Sequence, residues 1–164
     1  MEIQKPVVSV WGIIYIFDPS WEPRFLIIKR YARSKKIERI APKWKMEEHE
    51  SPTLSCAREI NEETGLSITD LVIKQELGRV ELKHQTTHHG LYEKSIIYFL
   101  VEYIWPLSAV KIEDAEWFIW VYKRASIWDI MWLVYYENLR NIYRSAYDMI
   151  AKSKAKQALI NSIM

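Results

Sequence analysis

The sequence predicts a single layered α+β domain, with helices covering a mixed β-sheet. Three features carry this prediction: β-rich apolar runs, one capped helix between them, and a long helical period towards the C-terminus. A chain of 164 residues favours one domain with a core of its own. We expect the domain to cover residues 1–150, followed by a C-terminal helical extension at 151–164.

Composition excludes several classes of protein. The net charge of +2 argues against a nucleic-acid-coating protein, and the single cysteine, Cys56, excludes a disulfide framework. We interpret Cys56 as a small packing residue. No apolar run reaches the ~18 residues of a membrane span, and the N-terminus lacks the apolar stretch of a signal peptide. We therefore expect a soluble cytoplasmic protein with no membrane or specific nucleic-acid partner.

The first third of the chain indicates a β-hairpin. Residues 7–17 are β-rich and apolar, residues 18–23 hold the prolines and polar residues of a turn, and residues 25–29 form a second apolar run. Residues 30–44 are polar and basic, so we expect a loop there.

The next segment predicts a helix over 52–64. Ser51 is suited to the N-cap, Pro52 to the first helical position and Gly65 to the C-terminal stop. Apolar residues at three-residue spacing predict its core-facing stripe, namely Leu54, Ala57 and Ile60.

The second half predicts more strands and a final helix. Residues 71–83 and 94–103 resemble strands joined by a polar loop at 84–93, and 117–122 indicates a further strand. Beyond Tyr136 a helical period appears in Leu139, Ile142, Tyr143, Ala146, Met149 and Ile150.

Three glutamates in the first helix carry the chemical signal. Glu59, Glu62 and Glu63 lie three and four residues apart, so they share one helix face and repel one another. Glu62 and Glu63 also lie in the last turn, where the helix dipole disfavours anions. A hard divalent cation resolves this conflict, because Mg²⁺ prefers carboxylate oxygens. The alternative is a solvated acidic face with a surface ion pair between Arg58 and Glu62.

The spacing of this segment resembles the signature of the Nudix hydrolase family, G-x5-E-x7-R-E-U-x-E-E-x-G-U, where U is aliphatic. Eight of its nine fixed positions match, namely Glu50, Arg58, Glu59, Ile60, Glu62, Glu63, Gly65 and Leu66. The exception is the opening glycine, which is Trp44 in this chain.

A second stretch, Pro42-Lys43-Trp44-Lys45-Met46-Glu47, is similar to the P-K-G-x-x-E motif of the dinucleoside-polyphosphate branch of that family, again with tryptophan for glycine. The resemblance implies a Nudix-type α/β/α sandwich with a mixed sheet.

The resemblance also implies a site. Mg²⁺ or Mn²⁺ would be held by Glu59, Glu62 and Glu63. The catalytic set would be Glu59 as candidate base, Arg58 to orient it, Glu62, and Glu50 as support for the metals. Lys43, Arg30 and Lys45 would bind the phosphates of the substrate. The family often adds a carboxylate from a later loop, for which the candidates are Glu113, Asp114 and Glu116.

The implied reaction is water attack on a phosphoanhydride of a nucleoside diphosphate linked to another group. Two alternatives stay open. One is a catalytically inactive Nudix-fold module that binds a nucleotide or a protein; the other is nucleotide-pool sanitation or removal of pyrophosphate from the 5′ end of RNA.

Glycine and tryptophan have unusual counts. The chain has 4 glycines and 8 tryptophans, whereas glycine at average usage would number about 11. Trp44 stands at a motif glycine, Trp21 in a turn, and Trp11, Trp117 and Trp120 where the family has small residues or glycine. One hypothesis is that some or all of these residues are glycines encoded by a reassigned UGA codon. The other is that they are genuine tryptophans packing a core or a pocket.

Overall fold

The structure is a computed structural model that describes residues 7–31, 36–41, 43–86, 90–104 and 118–163. Side chains are described for these residues except 30, 43, 44, 84–86, 90–92 and 118–123. The strands are β1 (Val7–Phe17), β2 (Pro23–Tyr31), β3 (Ile37–Ile40), β4 (Lys43–Lys45), β5 (Leu71–Thr86), β6 (Gly90–Tyr103) and β7 (Phe118–Ala125). The helices are α1 (Pro52–Thr64), α2 (Ile127–Leu133) and α3 (Glu137–Ile163).

Strand β1 organises the sheet. Residues 7–15 of β1 pair in parallel with residues 94–102 of β6, while β4 and β2 pair antiparallel with the start and the end of β1. Strand β5 extends the sheet beyond β6, and β2 also pairs with β3 and β7. The parallel pair among antiparallel pairs makes the sheet mixed, as predicted.

The alternation of side chains along β1 divides the core into two layers. Val10 and Ile14 pack with the buried side chains of α1 on one face of the sheet. Ile13 and Tyr15 pack on the other face with buried residues of α2 and α3. A strand directs successive side chains to opposite faces, so β1 serves both layers. The predicted layering of helices on both faces is confirmed.

Helix α1 has the predicted bounds. The Ser51 side chain accepts a hydrogen bond from the backbone N–H of Leu54 at 3.3 Å, and Pro52 occupies the first turn. Gly65 has a φ of 68° and donates its backbone N–H to the Asn61 carbonyl at 2.8 Å. The left-handed conformation that ends the helix is one that glycine adopts without strain.

The predicted core stripe of α1 was partly wrong, because Leu54 is 66% exposed. The buried residues are Ser55, Cys56, Glu59, Ile60 and Thr64. Two residues along a helix rotate the side chain by roughly 200°, so Leu54 points away from the face that carries Cys56. Cys56 is fully buried and its thiol pKa is raised to about 12 by burial, which confirms its packing role.

Close packing of α1 on the sheet depends on Gly12. A Cβ at this position would lie 2.8 Å from Ile60 Cδ1 and 3.2 Å from Ile60 Cγ1. Ile60 is itself fully buried, so it has little room to move. The absence of a side chain at Gly12 therefore sets the distance between α1 and β1.

The basic segment 30–44 was wrongly predicted to be entirely loop, because β2 extends to Tyr31 and the segment includes β3 and the start of β4. In β3 the buried positions are Glu38 and Ile40, so a carboxylate occupies one of the two inward positions. Its Oε2 accepts a hydrogen bond from the Tyr136 hydroxyl at 2.7 Å. An inward-facing glutamate hides the apolar alternation by which a strand is predicted.

The polar loop predicted at 84–93 was also wrong. Strand β5 continues to Thr86 and β6 begins at Gly90, with Thr86 and Gly90 paired. A cross-strand charge pair lies at the start of the extension, with Lys83 Nζ at 3.3 Å from Glu93 Oε1. Pairing of this kind leaves no apolar pattern in the sequence.

The C-terminal part contains one helix that was not predicted. Helix α2 begins with a capping box in which Ser126 and Asp129 bond each other's backbone N–H groups. Strand β7 was expected to end at 122 and extends to Ala125. Helix α3 is confirmed, with Leu139, Tyr143, Ala146 and Ile150 buried. None of the described helices is long and apolar enough to span a membrane.

We predict that Gly12→Ala destabilises the protein by about 1–2 kcal/mol, because the new methyl group overpacks the contact with Ile60. Gly78→Ala is the matched control, since its Cβ would meet Ile142 Cδ1 at an ordinary 3.7 Å. Urea unfolding of both variants measures the difference. Adding Ile60→Val should restore part of the loss, whereas additive effects would contradict the proposed contact.

Candidate functional site

The guanidinium of Arg58 is the centre of the candidate site. Its Nε and Nη2 donate to the two carboxylate oxygens of Glu50 at 2.8 and 2.9 Å. Its Nη1 lies 2.6 Å from Glu59 Oε1 and 3.0 Å from Glu62 Oε2. One planar cation thus fixes three carboxylates, the first of them in the bidentate geometry that arginine favours. We call Glu50, Arg58, Glu59 and Glu62 the arginine cluster.

Local structure explains how Glu50 reaches a helix residue eight positions later. Glu50 lies at the end of a turn in which its backbone N–H donates to the Glu47 carbonyl at 3.4 Å and His49 has a φ of 69°. Ser51 then caps α1, so Glu50 is held beside the first turns of the helix. In the sequence, the ion pair of Arg58 with Glu62 belonged to the alternative of a solvated acidic face, and the structure contains this pair. The contact of Arg58 with Glu50 was missed because it crosses the start of the helix.

The pKa values of Glu50 and Glu59, which both contact Arg58, are shifted in opposite directions. Hydrogen bonds from Arg58 hold the pKa of Glu50 at about 2. Burial raises the pKa of Glu59 above its usual value; Arg58 opposes this shift, while the charges of Glu62 and Glu50 add to it. Burial in low dielectric favours the neutral form of a carboxyl group. Glu59 therefore carries its negative charge at a cost to the fold.

The carboxylate oxygens of this cluster are the type of ligand that a hard divalent cation prefers. Among the described residues, three carboxylates of the arginine cluster face one guanidinium, which leaves an excess of negative charge. Glu63 follows Glu62 on α1 and is half-buried. Within the described part of the chain, no three His, Cys, Asp or Glu side chains are already grouped as a metal site. A cation would therefore have to draw Glu62 and Glu63 towards Glu59.

The predicted phosphate-binding cations are placed only in part. Lys45 is exposed on β4, opposite Ser9 of β1. Lys43, also on β4, pairs with Trp11 of β1, and Arg30 of β2 pairs with Glu38 of β3. The side chains of Lys43 and Arg30 are not among those described. The loop candidates also lie outside the described residues, namely Glu113, Asp114 and Glu116.

A separate cavity of about 560 Å³ lies at the other end of β1. Its lining includes Phe17, Trp21, Tyr103 and Arg124, and none of the residues of the arginine cluster. A concave apolar site of this size is where a ligand is usually sought. Here the cavity and the concentration of carboxylates do not coincide.

Comparison with known proteins identifies the domain type. The sequence model of the NUDIX domain matches residues 7–121. No curated protein matches the chain significantly.

Solved structures share the fold. An Ap4A hydrolase from C. elegans in a binary complex is similar with a TM-score of 0.69 and 17% identity, over 89% of this chain and 98% of that one. The MutT protein from Methanosarcina mazei Go1 gives 0.56 and 21%, over 93% and 99%. The NUDIX domain of Shewanella oneidensis NrtR, solved with ADP ribose, gives 0.64 and 15%, over 90% of each chain. At such identities the likeness establishes the fold alone.

We predict opposite effects of Glu50→Gln and Glu59→Gln on stability at pH 7. Glu50 stabilises the fold above its unfolded pKa near 4.5, and this contribution is lost as the pH falls to about 2. Glu59 has a raised pKa, so its ionisation lowers stability as the pH rises above 4.5. In a metal chelator, Glu50→Gln should lower the thermal midpoint and Glu59→Gln should raise it.

The pH profile separates these effects from simple loss of packing. The difference between Glu59→Gln and the parent should shrink steadily as the pH falls below 4.5, because the carboxyl becomes neutral in both states. Equal destabilisation by the two variants at pH 7 would contradict the assignment of opposite pKa shifts.

Proposed function

The chain belongs to the Nudix family of hydrolases, and we propose that it uses Mg²⁺ to hydrolyse a nucleoside diphosphate linked to another group. The single observation that supports the proposal is the arginine cluster, in which Arg58 holds Glu50, Glu59 and Glu62 at hydrogen-bond distance. A cluster of like charges on one helix is costly, and metal-assisted phosphoryl chemistry gives it a purpose.

Each residue of the cluster has a distinct proposed role. Glu59, Glu62 and Glu63 would hold one or more divalent cations, which when bound activate water and neutralise charge on the bridging oxygens. Arg58 orients Glu59 through the 2.6 Å contact of its Nη1, so that Glu59 can accept a proton from the attacking water. Glu50 fixes the plane of the guanidinium through two hydrogen bonds, and acts through Arg58.

We propose a dinucleoside polyphosphate as the substrate. The P-K-G-x-x-E-like stretch at 42–47 and the likeness of the fold to an Ap4A hydrolase support this choice. Lys45 is exposed on β4, where it can bind a phosphate. We propose that Lys43 and Arg30 bind phosphate together with Lys45. Nucleoside triphosphates and RNA 5′ ends are the competing substrates.

We assign this activity to residues 1–150. Helix α3 continues without a break to Ile163, but its side chains from residue 151 onwards are exposed, apart from the half-buried Lys154. The extension at 151–164 is therefore proposed to lie outside the catalytic domain.

Glu62→Gln should reduce turnover by about two orders of magnitude or more, because the neutral amide removes a proposed metal ligand. Glu93→Gln is the control, since Glu93 is an exposed glutamate paired with Lys83 on the β5–β6 hairpin. The assay measures Mg²⁺-dependent phosphate-bond cleavage of diadenosine tetraphosphate, a nucleoside triphosphate, ADP-ribose and 5′-triphosphate RNA. Unchanged turnover of Glu62→Gln would remove Glu62 from the site.

Trp44→Gly should increase activity towards the preferred substrate, because it restores the glycine of the family signature next to the site. Trp44 lies on β4, where it pairs with Val10 of β1. It precedes by five residues His49, which belongs to the turn that positions Glu50. The same substrate panel measures the change. A parent and a Trp44→Gly variant that are both silent on every substrate would favour a binding module that has lost catalysis.

A further inference from the structure

The turn between β1 and β2 contains a tryptophan in a left-handed conformation. Trp21 has a φ of 59°, and its backbone N–H donates to the Asp18 carbonyl at 2.8 Å. The Asp18 N–H in turn donates to the Glu22 carbonyl at 3.0 Å. These two backbone hydrogen bonds close the turn and require the left-handed residue.

Side chains other than that of Trp21 stabilise this turn. Asp18 Oδ1 accepts hydrogen bonds from the backbone N–H groups of Ser20 and Glu22 at 2.8 and 3.0 Å, and its Oδ2 accepts one from Arg24 Nε at 2.8 Å. Lys154 of α3 donates to the Trp21 carbonyl. The conformation at position 21 is thus fixed from several directions, by its backbone and its neighbours.

The indole of Trp21 lines the cavity at the end of β1 but remains mostly exposed. It is 67% exposed, and the ring contact described for it is with Phe17, at a centroid distance of 5.6 Å. A bulky side chain at positive φ is a genuine outlier, whereas glycine adopts this conformation freely and is the usual turn residue. His49, the other such residue in the described chain, belongs to a type that is enriched in the left-handed region.

The tryptophans of α2 are in a different position. Trp128 and Trp132 are 75% and 89% exposed, but they lie within a helix, where glycine is among the least favourable residues. The structure therefore favours glycine at position 21 and disfavours it at 128 and 132. Composition agrees, because the chain has 4 glycines where average usage gives about 11.

We infer that residue 21 is glycine in the protein made by its own cell, encoded by a UGA codon that this cell translates as glycine, and that Trp128 and Trp132 are genuine tryptophans encoded by UGG. This inference stands on the turn and the composition and does not depend on the proposed function. Trp21 occupies a backbone conformation that favours glycine, whereas Trp128 and Trp132 occupy a helix that disfavours it.

The decisive experiment determines codons 21, 128 and 132 in the gene and the residue at position 21 by mass-spectrometric sequencing of the protein isolated from its source cells. We expect UGA at codon 21, glycine in the peptide, and UGG at codons 128 and 132. UGG at codon 21, or tryptophan in that peptide, would overturn the inference.

A stability measurement on recombinant protein tests the structural basis separately. Trp21→Gly should raise the thermal midpoint by about 2–4 °C through relief of the strained turn, whereas Trp132→Gly should lower it by a similar amount. The two variants make the same chemical change at exposed sites, one at a residue with positive φ and the other within a helix. A midpoint for Trp21→Gly at or below that of the parent would overturn the claim that the turn requires glycine.

Discussion

The candidate site depends on one guanidinium shared by three carboxylates. Arg58 binds Glu50 through two nitrogens and places Glu59 and Glu62 on its remaining side. Without that cation, Glu59 would be a buried carboxylate beside two others, and its raised pKa shows that burial already outweighs the compensation. The arrangement stores electrostatic repulsion along one helix. A divalent cation bound by these carboxylates would offset that repulsion, in keeping with the metal-dependent hydrolysis that we propose.

Helix α1, which carries most of the arginine cluster, packs on the sheet through Ile60, the residue next to Glu59. Ile60 is buried against β1, and Gly12 lets its side chain approach more closely than any other residue would allow. Glu59 precedes Ile60 on α1 and is buried as well. A shift of α1 that hydrated Glu59 would lower its pKa towards the ordinary value.

Sequence patterns predicted the parts of the molecule that depend on local chemistry. Helix α1 has its predicted bounds because Ser51, Pro52 and Gly65 each act within a few residues of their own position. Strand β3 was missed because one of its two inward positions is Glu38, whose partner Tyr136 is remote in sequence. The contact of Arg58 with Glu50 was missed for a related reason, since it joins a loop to a helix. In both cases a long-range polar partner decides the structure, and no periodicity in the chain reports it.

The identity of residue 21 bears on the rest of the chain through the genetic code. A codon meaning holds for a whole gene, so glycine encoded by UGA at position 21 would apply equally wherever UGA occurs. Trp44 is the single departure of this chain from the family signature, and the case for an inactive binding module rests mainly on that departure. A glycine at 44 would leave all nine signature positions intact around an arginine cluster already in place. A UGA codon at position 44 would therefore remove the one departure from the signature on which the alternative of an inactive binding module depends.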